Sequence, residues 1–490
     1  MTLLRRTTAV LSAMTVVAGL SACDPRLPGS GDGGPDTDRP NIVFVLTDDL
    51  ASNLVQYMPH VQALAKKGTS FANYTVTDSL CCPSRSSIFT GRYPHNTGIF
   101  TNGGKDGGFT TFKKNGEEKS TFATSLQQAD YRTAMMGKYL NEYLPKDKYV
   151  PPGWTEWDVA GNAYGQYDYN LLENDQVKHY GKAPGDYLTT VVSGKATKFI
   201  TDSVAAKSPF LLEVATFTPH GPFTPAPEDK DKFPGLTAPR GPAFDKLPAD
   251  PPKYLAGREP LTADEKKKID TDFRKRAQAV QSVDRMIGSI QDTLEKAGVA
   301  DNTIIVFSSD NGFHMGEYRM TPGKQTAFDT DVNVPLIVAG PGVGAGRTVT
   351  EAAENVDLRP TFEALAGATT PSEVDGSSLV PLLRGESSAG WRTTSLVEHH
   401  GPNTDPADPD RPAKNGGNPA TYEAIRTSTY TYVEYADGTS EYYDRKADPD
   451  MLNNIAGTLA PDTRTKLAAT VKGMSVCQGR RQCWTAAGGK

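Results

Sequence analysis

"NIVFVLTDD", residues 41–49, decides the fold. Ile42, Val43, Phe44, Val45 and Leu46 follow one another without a polar break. A strand with one wet face would alternate, whereas an unbroken apolar run reads as a strand buried on both faces of a parallel sheet. Comparable runs stand at 132–139 ("RTAMMGKY"), 209–217 ("PFLLEVATF"), 303–311 ("TIIVFSSDN") and 334–340 ("VPLIVAG"). Helical stretches separate them. "MPHVQALAKKG" stops at Gly68 and "VDLRPTFEALAG" at Gly367, glycine being common just past a helix end. Between Ala263 and Ala297, the residues Phe273, Ala277, Val280, Val283, Ile287, Ile290 and Leu294 recur at three- and four-residue steps and form one apolar stripe. This alternation predicts an α/β fold, a large and mostly parallel sheet flanked by helices. After about Ser387 the texture changes. Short β-rich runs with turns at Asp437-Gly438 and Asp448-Pro449 predict a small antiparallel sheet, then a helix near Pro461–Lys472. Residues 222–260 are Pro-rich and read as an irregular surface excursion.

Arg5 and Arg6 precede an apolar run from Thr7 to Ala22, too short for a spanning helix, which reads as an export signal. It ends in "LSAC", which resembles a bacterial lipobox. Cys23 is then the lipidated residue of a cell-membrane lipoprotein on the outer face; a plain secretory signal is the alternative. The Gly/Pro/Asp-rich segment after Cys23 reads as a tether. The 490-residue chain has a formal charge of −6, and loss of residues 1–22 removes Arg5 and Arg6 and no acid, leaving −8. An acidic body is unsuited to nucleic acid and other polyanions, so an anionic substrate needs a local basic cluster. Of the 5 cysteines, Cys477 and Cys483 sit close together in an exported chain and read as a disulfide. Cys81 and Cys82 remain.

Ligands of open α/β sheets sit beyond the carboxyl ends of the strands. Two of the most apolar runs end there in oxygen-bearing pairs, Asp48-Asp49 and Asp310-Asn311. Converging on one rim, these side chains suit Ca2+, with Mg2+ second; the histidines are too few and too scattered for zinc. Pro83 suits the first turn of a helix through "SRSSIFTG", which sets Cys81 just before a helix N-terminus and Arg85 on its first turn. Arg85 follows Cys81 by four positions and Cys82 by three, too close for the loop of a cysteine phosphatase.

"CCPSRSSIFTGR", residues 81–92, resembles the signature of the sulfatase family, Cys-x-Pro-Ser-Arg closed by Thr-Gly-Arg. "PNIVFVLTDD", "GKYLNEY", "PPGWTEW", "DYLT", "TPHGPF", "FRKRAQAVQSVDRMI", "SSDNGFH" and "VPLIVAGPG" are similar to the N-acetylglucosamine-6-sulfatase branch, from Pro40 to beyond Gly342. A weaker "YDRKADPDMLNN" follows in the C-terminal part. The resemblance implies an alkaline-phosphatase-like fold and a sulfuric ester hydrolase. It implies that a formylglycine-generating enzyme oxidises Cys81 to formylglycine, with Cys82 a spectator. Asp48, Asp49, Asp310 and Asn311, with residue 81, match the family's Ca2+ ligands. One hydroxyl of the hydrated aldehyde attacks sulfur and the other expels sulfate, a release that plain Ser or Cys cannot make. Arg85 matches the residue that stabilises the ionised hydroxyl, Lys138 and Lys324 the sulfate-binding lysines, and His220 the histidine that protonates the leaving oxygen. Many sulfatases carry a histidine two residues after the lysine equivalent to Lys138. Here that position is Leu140, and Asn141 beside it is the candidate replacement. His314 and His399 are further candidate substrate contacts. The implied substrate is a small sulfated sugar of the glucosamine-6-sulfate kind, or an aryl sulfate. A phosphonate or phosphate monoester hydrolase on the same fold is the nearest alternative. The implied boundaries are a signal at 1–22, Cys23 and tether at 23–39, a catalytic domain at 40–387, an α+β subdomain at 388–475, and a tail at 476–490 with the Cys477–Cys483 bridge.

Overall fold

Strand β1 (Asn41–Thr47) runs through the middle of the molecule, every residue buried. Its alternate side chains serve two cores. Ile42, Phe44 and Leu46 join one with Ile88, Phe89, Phe122 and Phe362. Val43 and Val45 join the other with Val61, Phe199, Val280 and Ile287. The unbroken apolar run is therefore two alternating faces, each covered by helices. A computed structural model describes residues 39–490; the expected signal, Cys23 and the tether through residue 38 lie outside the described residues.

β1 pairs in parallel with β9 (Thr303–Ser309) on one side and β8 (Phe210–Ala215) on the other. β4 (Arg132–Lys138) and β5 (Glu156–Ala160) continue in parallel beyond β8. The sheet reaches ten strands through β2 (Thr69–Phe71), β6 (Tyr169–Glu173), β7 (Gln176–Tyr180), β10 (Leu336–Ala339) and β11 (Arg347–Val349), in the order β11-β2-β10-β9-β1-β8-β4-β5-β6-β7. Four strands of the parallel centre follow the apolar runs; the fifth, β5, is not marked by one, and the run at 334–340 forms β10. The flanks are mixed: β10, β6 and β7 run antiparallel to their inner neighbours, a direction that apolarity alone does not encode. A short parallel pair, β3 (Tyr74–Thr75) with β12 (Ala353–Glu354), lies outside this sheet.

The helix Ala263–Lys296 starts at a capping box between Thr262 and Glu265 and lays its predicted stripe on the second core. β13 (Thr394–His399), β14 (Tyr422–Thr427), β15 (Tyr430–Tyr435) and β16 (Ser440–Asp444) form a four-stranded antiparallel sheet. Leu396, Ile425 and Tyr432 pack with Leu467, Val471 and Met474 of the helix Pro461–Met474. Val397, Ala424 and Val433 belong instead to the first core of the large sheet. The small sheet is thus built into the main body along one face. Cys477 and Cys483 are joined in a disulfide and line the small core.

Candidate active site

β1 and β9 lie in register, with Thr47 opposite Ser309, so the residues that follow them emerge side by side at the carboxyl rim. Asp49 takes a left-handed φ of +64°, a conformation that aspartate tolerates better than bulkier residues. That turn lets the Asp49 N–H donate to Asp310 Oδ1 at 3.1 Å, and the Asn311 N–H donates to the same oxygen at 2.8 Å. Asn311 Nδ2 donates to Asp49 Oδ1 at 2.7 Å. From the long helix, buried Arg276 donates to the carbonyls of Asp49 and Pro219 and ties the loops after β1 and β8 together.

The helix Cys81–Thr90 points its N-terminus into this rim, and all of its residues are buried. Cys81 is itself the first helical residue, one position further in than the sequence suggests. Cys82 packs in the first core, where burial pushes its thiol up to about 12. Both thiols are free. Arg85 does not turn back to the helix start alone: its Nε donates to Asp310 Oδ2 at 2.8 Å and its Nη1 to the Lys138 carbonyl at 2.9 Å. Its Nη2 is buried without a partner.

The expected cations converge on Cys81. Lys138, at the end of β4, reaches Asp48 Oδ2 at 2.7 Å, and Asp48 Oδ1 lies 3.2 Å from Cys81 Sγ. Lys324 Nζ lies 2.6 Å from Asp49 Oδ1 and 3.0 Å from Cys81 Sγ. His220 comes from the loop after β8, its Nε2 3.7 Å from Asp49 Oδ2. Burial opposes charge on each of these groups, but the carboxylates prevail. Asp48 drives Lys138 up, Asp410 and Asp49 drive Lys324 up, and Asp49, Asp410 and Asp48 raise His220 to about 9. Arg85 and the lysines hold Asp310 low despite its burial. Burial, with Asp410 and Asp48, pushes the Cys81 thiol up and keeps it neutral.

Asp410 is the participant that sequence reading missed. It arrives on the loop between β13 and β14, and its carboxylate takes Lys324 at 2.9 Å, His220 Nε2 at 2.7 Å and Asn102 Nδ2 at 2.7 Å, with Cys81 Sγ at 3.4 Å. The segment "DPADPDRP" carries several acids and no pattern that singles out one of them. Its placement depends on tertiary anchors. Gln325 Nε2 donates to the Asp410 carbonyl at 2.7 Å, and Thr321 N–H to the Asn415 carbonyl at 3.0 Å.

His314 belongs to those anchors. Its ring nitrogens meet Asp331 at 3.0 Å and the Gly416 carbonyl at 3.1 Å, so both are engaged in holding the loop. His399 is not drawn into the pit either. It ends β13 as a buried strand residue, 3.4 Å from Asp78, with its ring 5.2 Å from that of Tyr422. The sequence invites an exposed loop at the two histidines; only His400 is exposed, beside Asp106. Asn141 lies at the edge of the pit, donating to the Tyr164 hydroxyl at 3.3 Å, and the Tyr164 ring packs 4.4 Å from that of His220.

Ligand atoms of Asp48, Asp49, Cys81 and His220 all fall within 4.8 Å of one another. Asp310 and Asn311 border the same space, and Asn311 Oδ1 is buried with no hydrogen-bond partner. A buried acceptor without a donor is costly unless something else meets it. Three carboxylates and an orphaned amide oxygen fit a hard divalent cation, with His220 a softer neighbour facing Asp410.

An anion-holding pit at the carboxyl rim of a parallel sheet, with paired acids, buried lysines and a residue at a helix N-terminus, suits the hydrolysis of oxyanion esters. The chain belongs to the sulfatase family: residues 40–368 match the family model described as Sulfatase. Residues 316–474 match that of the N-sulphoglucosamine sulphohydrolase C-terminal region. The human N-acetylglucosamine-6-sulfatase is 33% identical over 473 residues, covering 90% of this chain and 86% of the relative. The N-acetylglucosamine-6-O-sulfatase of Bacteroides thetaiotaomicron is 28% identical, covering 86% of this chain and 83% of the relative. A solved structure, described as a complex with its substrate D-glucosamine-2-N,6-O-disulfate, matches with a TM-score of 0.75 at 25% identity over 89% of this chain and 97% of that one. The phosphonate monoester hydrolase of Agrobacterium radiobacter shares the fold at a TM-score of 0.68 and 20% identity, over 89% and 96%. The fold is the sulfatase fold, and the protein is a sulfatase enzyme.

Proposed function

We propose that the protein is an exported sulfatase that uses formylglycine at position 81 and a bound Ca2+ to hydrolyse the ester of a small sulfated sugar. The observation that carries this reading is the Asp410 carboxylate at Cys81, gripped by Lys324, His220 and Asn102. The pit binds an anion where the nucleophile stands. As a thiol, Cys81 is buried among carboxylates and held neutral, a poor nucleophile. Converted to a hydrated aldehyde, residue 81 would offer one hydroxyl to take the sulfuryl group and another to release it, and Asp48, Asp49, Asp310 and Asn311 would hold a Ca2+ that would supply a Lewis acid. Lys138 and Lys324 hold the sulfate oxygens against the nucleophile. Arg85 offers its free Nη2 to the attacking oxygen. His220, whose Nε2 lies 2.7 Å from Asp410 beside Cys81, donates from Nε2 to the leaving alcohol. The names of the relatives, N-acetylglucosamine-6-sulfatase and an extracellular sulfatase homologue of Drosophila melanogaster, support an amino-sugar substrate and export. The signal and Cys23 support delivery to the outer face of the membrane.

Mass spectrometry of the peptide spanning residue 81, combined with turnover of nitrophenyl sulfate and nitrophenyl phosphate, tests the reading. The expected result is an aldehyde at 81 and faster sulfate-ester turnover. A residue 81 that stays wholly a thiol in active enzyme, or dominant phosphate or phosphonate hydrolysis, overturns it.

A further inference from the structure

A histidine that gives a proton to a leaving group serves only if its ring is aimed at that group. One nitrogen of His220 is fixed by its own loop. Nδ1 lies 2.8 Å from the Gly221 carbonyl, which only accepts, so the bond keeps a proton on Nδ1 and leaves Nε2 to face Asp410 beside Cys81. A single hydrogen bond lets an imidazole rock about it. The face of the ring needs a second support, and Tyr164 supplies it: the two rings stand 4.4 Å apart, tilted by 41°.

Strand order brings Tyr164 to that place. β4 and β5 run in parallel with Lys138 opposite Ala160, so the loop that follows β5 rises at the rim beside Lys138. There the Tyr164 ring has Lys138 Nζ 5.1 Å from its centroid, and it meets the loop after β8. It stands edge-on to buried Phe217 at 5.1 Å as well as against His220. Its hydroxyl is tied in turn, for Asn141 Nδ2 donates to it at 3.3 Å. The chain just beyond is anchored too, the Leu188 N–H donating to the Gln166 carbonyl at 3.0 Å. Leu140 packs in the first core, so Asn141 is the residue after β4 that reaches this layer.

We propose that Tyr164, anchored by Asn141, is a positioning residue that aims His220 Nε2 at the leaving oxygen. The proposal rests on the sulfatase reading above. As the ester S–O bond breaks, the sulfuryl group passes to the ionised hydroxyl oxygen of residue 81. The bonding pair stays on the leaving oxygen, which takes the proton from Nε2. An acidic phenol leaves well as its anion and gains little from that proton, whereas a weakly acidic phenol or a sugar alcohol depends on it. Placement of the ring therefore shows in how steeply turnover depends on the leaving group. Lys138 packs on Tyr164 as well, but a displaced lysine, like a weakened fold, slows every ester alike.

The test is kcat/KM of the enzyme with residue 81 converted, on a series of phenyl sulfates from para-nitrophenyl to para-methoxyphenyl. Tyr164→Leu is expected to slow the methoxyphenyl ester by about tenfold or more beyond its effect on the nitrophenyl ester, and His220→Gln to steepen the series further. Tyr164→Phe, which keeps the ring, and Asn141→Ala break the same hydrogen bond. Each should shift the ratio of the two esters by about threefold, and the double variant no further than either alone. A ratio unchanged in both Tyr164 variants makes the tyrosine a mere wall of the pit and overturns the proposal while the sulfatase reading stands. Shifts that add in the double variant overturn the part given to Asn141. A series unchanged by His220→Gln removes the proton donor and the proposal with it. Converted enzyme that hydrolyses no sulfate ester overturns the sulfatase reading itself.

Discussion

Asp410 holds the cations that the proposed reading assigns to a sulfate ester. Four carboxylates, Asp48, Asp49, Asp310 and Asp410, face Lys138, Lys324, Arg85 and His220 in a closed pit. On the proposed reading, substrate entry would replace one anion by another and turn Asp410 aside. His220 records the balance, its pKa raised from 6.5 to about 9 although burial opposes it. The folded state without metal therefore keeps a proton that the unfolded chain gives up. This contribution to stability is fully present below about pH 6.5 and is lost as pH rises through about 9. With chelator present, thermal midpoints should fall across that window. His220→Gln should flatten the fall, and Asp410→Asn should reduce it by removing one of the carboxylates that raise the imidazole. An unchanged profile in both variants would contradict the charge balance.

Among the elements, β4 shows how closely strand and site are joined. Gly137 has φ +99°, and a Cβ there would stand 2.0 Å from the Ala215 carbonyl oxygen of β8. No rotamer relieves a backbone clash. Gly137→Ala must separate β4 from β8 at the rim and move Lys138, the next residue. Chemical denaturation should show a loss of roughly 3 kcal/mol or more. Sulfate-ester turnover should fall about a hundredfold, since displacement of a positioning group by about 1 Å has that effect. The central strands were legible because burial on both faces demands uninterrupted apolar side chains. β7, "QVKHY", was not, because an edge strand with a wet face carries no such demand. β13 was missed for another reason: its Glu398 and His399 are polar yet buried, Glu398 against His95 and His399 against Asp78.

At the scale of the whole molecule, the loops after β1 and β9 are held by residues far away in sequence, and a bound cation would bind them further. Calcium that binds only the folded state stabilises it by mass action, about 2.7 kcal/mol at a hundredfold excess over Kd. Differential scanning calorimetry should show a midpoint rising by a few degrees with calcium. Asp310→Asn should abolish the response and also lower the starting midpoint, because it strips buried Arg85 of its carboxylate partner at 2.8 Å. A variant that retains the full calcium response would remove Asp310 from the ligand set. The small sheet shows the same integration, with Leu396 turned to its own helix and Val397 to the main core.

The amino-acid sequence by itself marked four strands of the parallel centre, the long helix, and Asp48, Asp49, Asp310 and Asn311 at the ends of apolar runs; Lys138, His220, Lys324 and the special standing of Cys81 came with the resemblance to the sulfatase family. The first group is announced by apolar runs and the residues that end them, the second only by motifs shared with that family. Tertiary structure alone decided the antiparallel flanks, the loop-holding place of His314, the burial of His399 and the arrival of Asp410 at Cys81. Those depend on contacts between distant segments: Asp410 and Cys81 are 329 positions apart and meet at 3.4 Å. Such a meeting has no local periodicity to betray it, because it is fixed by how the sheet and the loops close on one another.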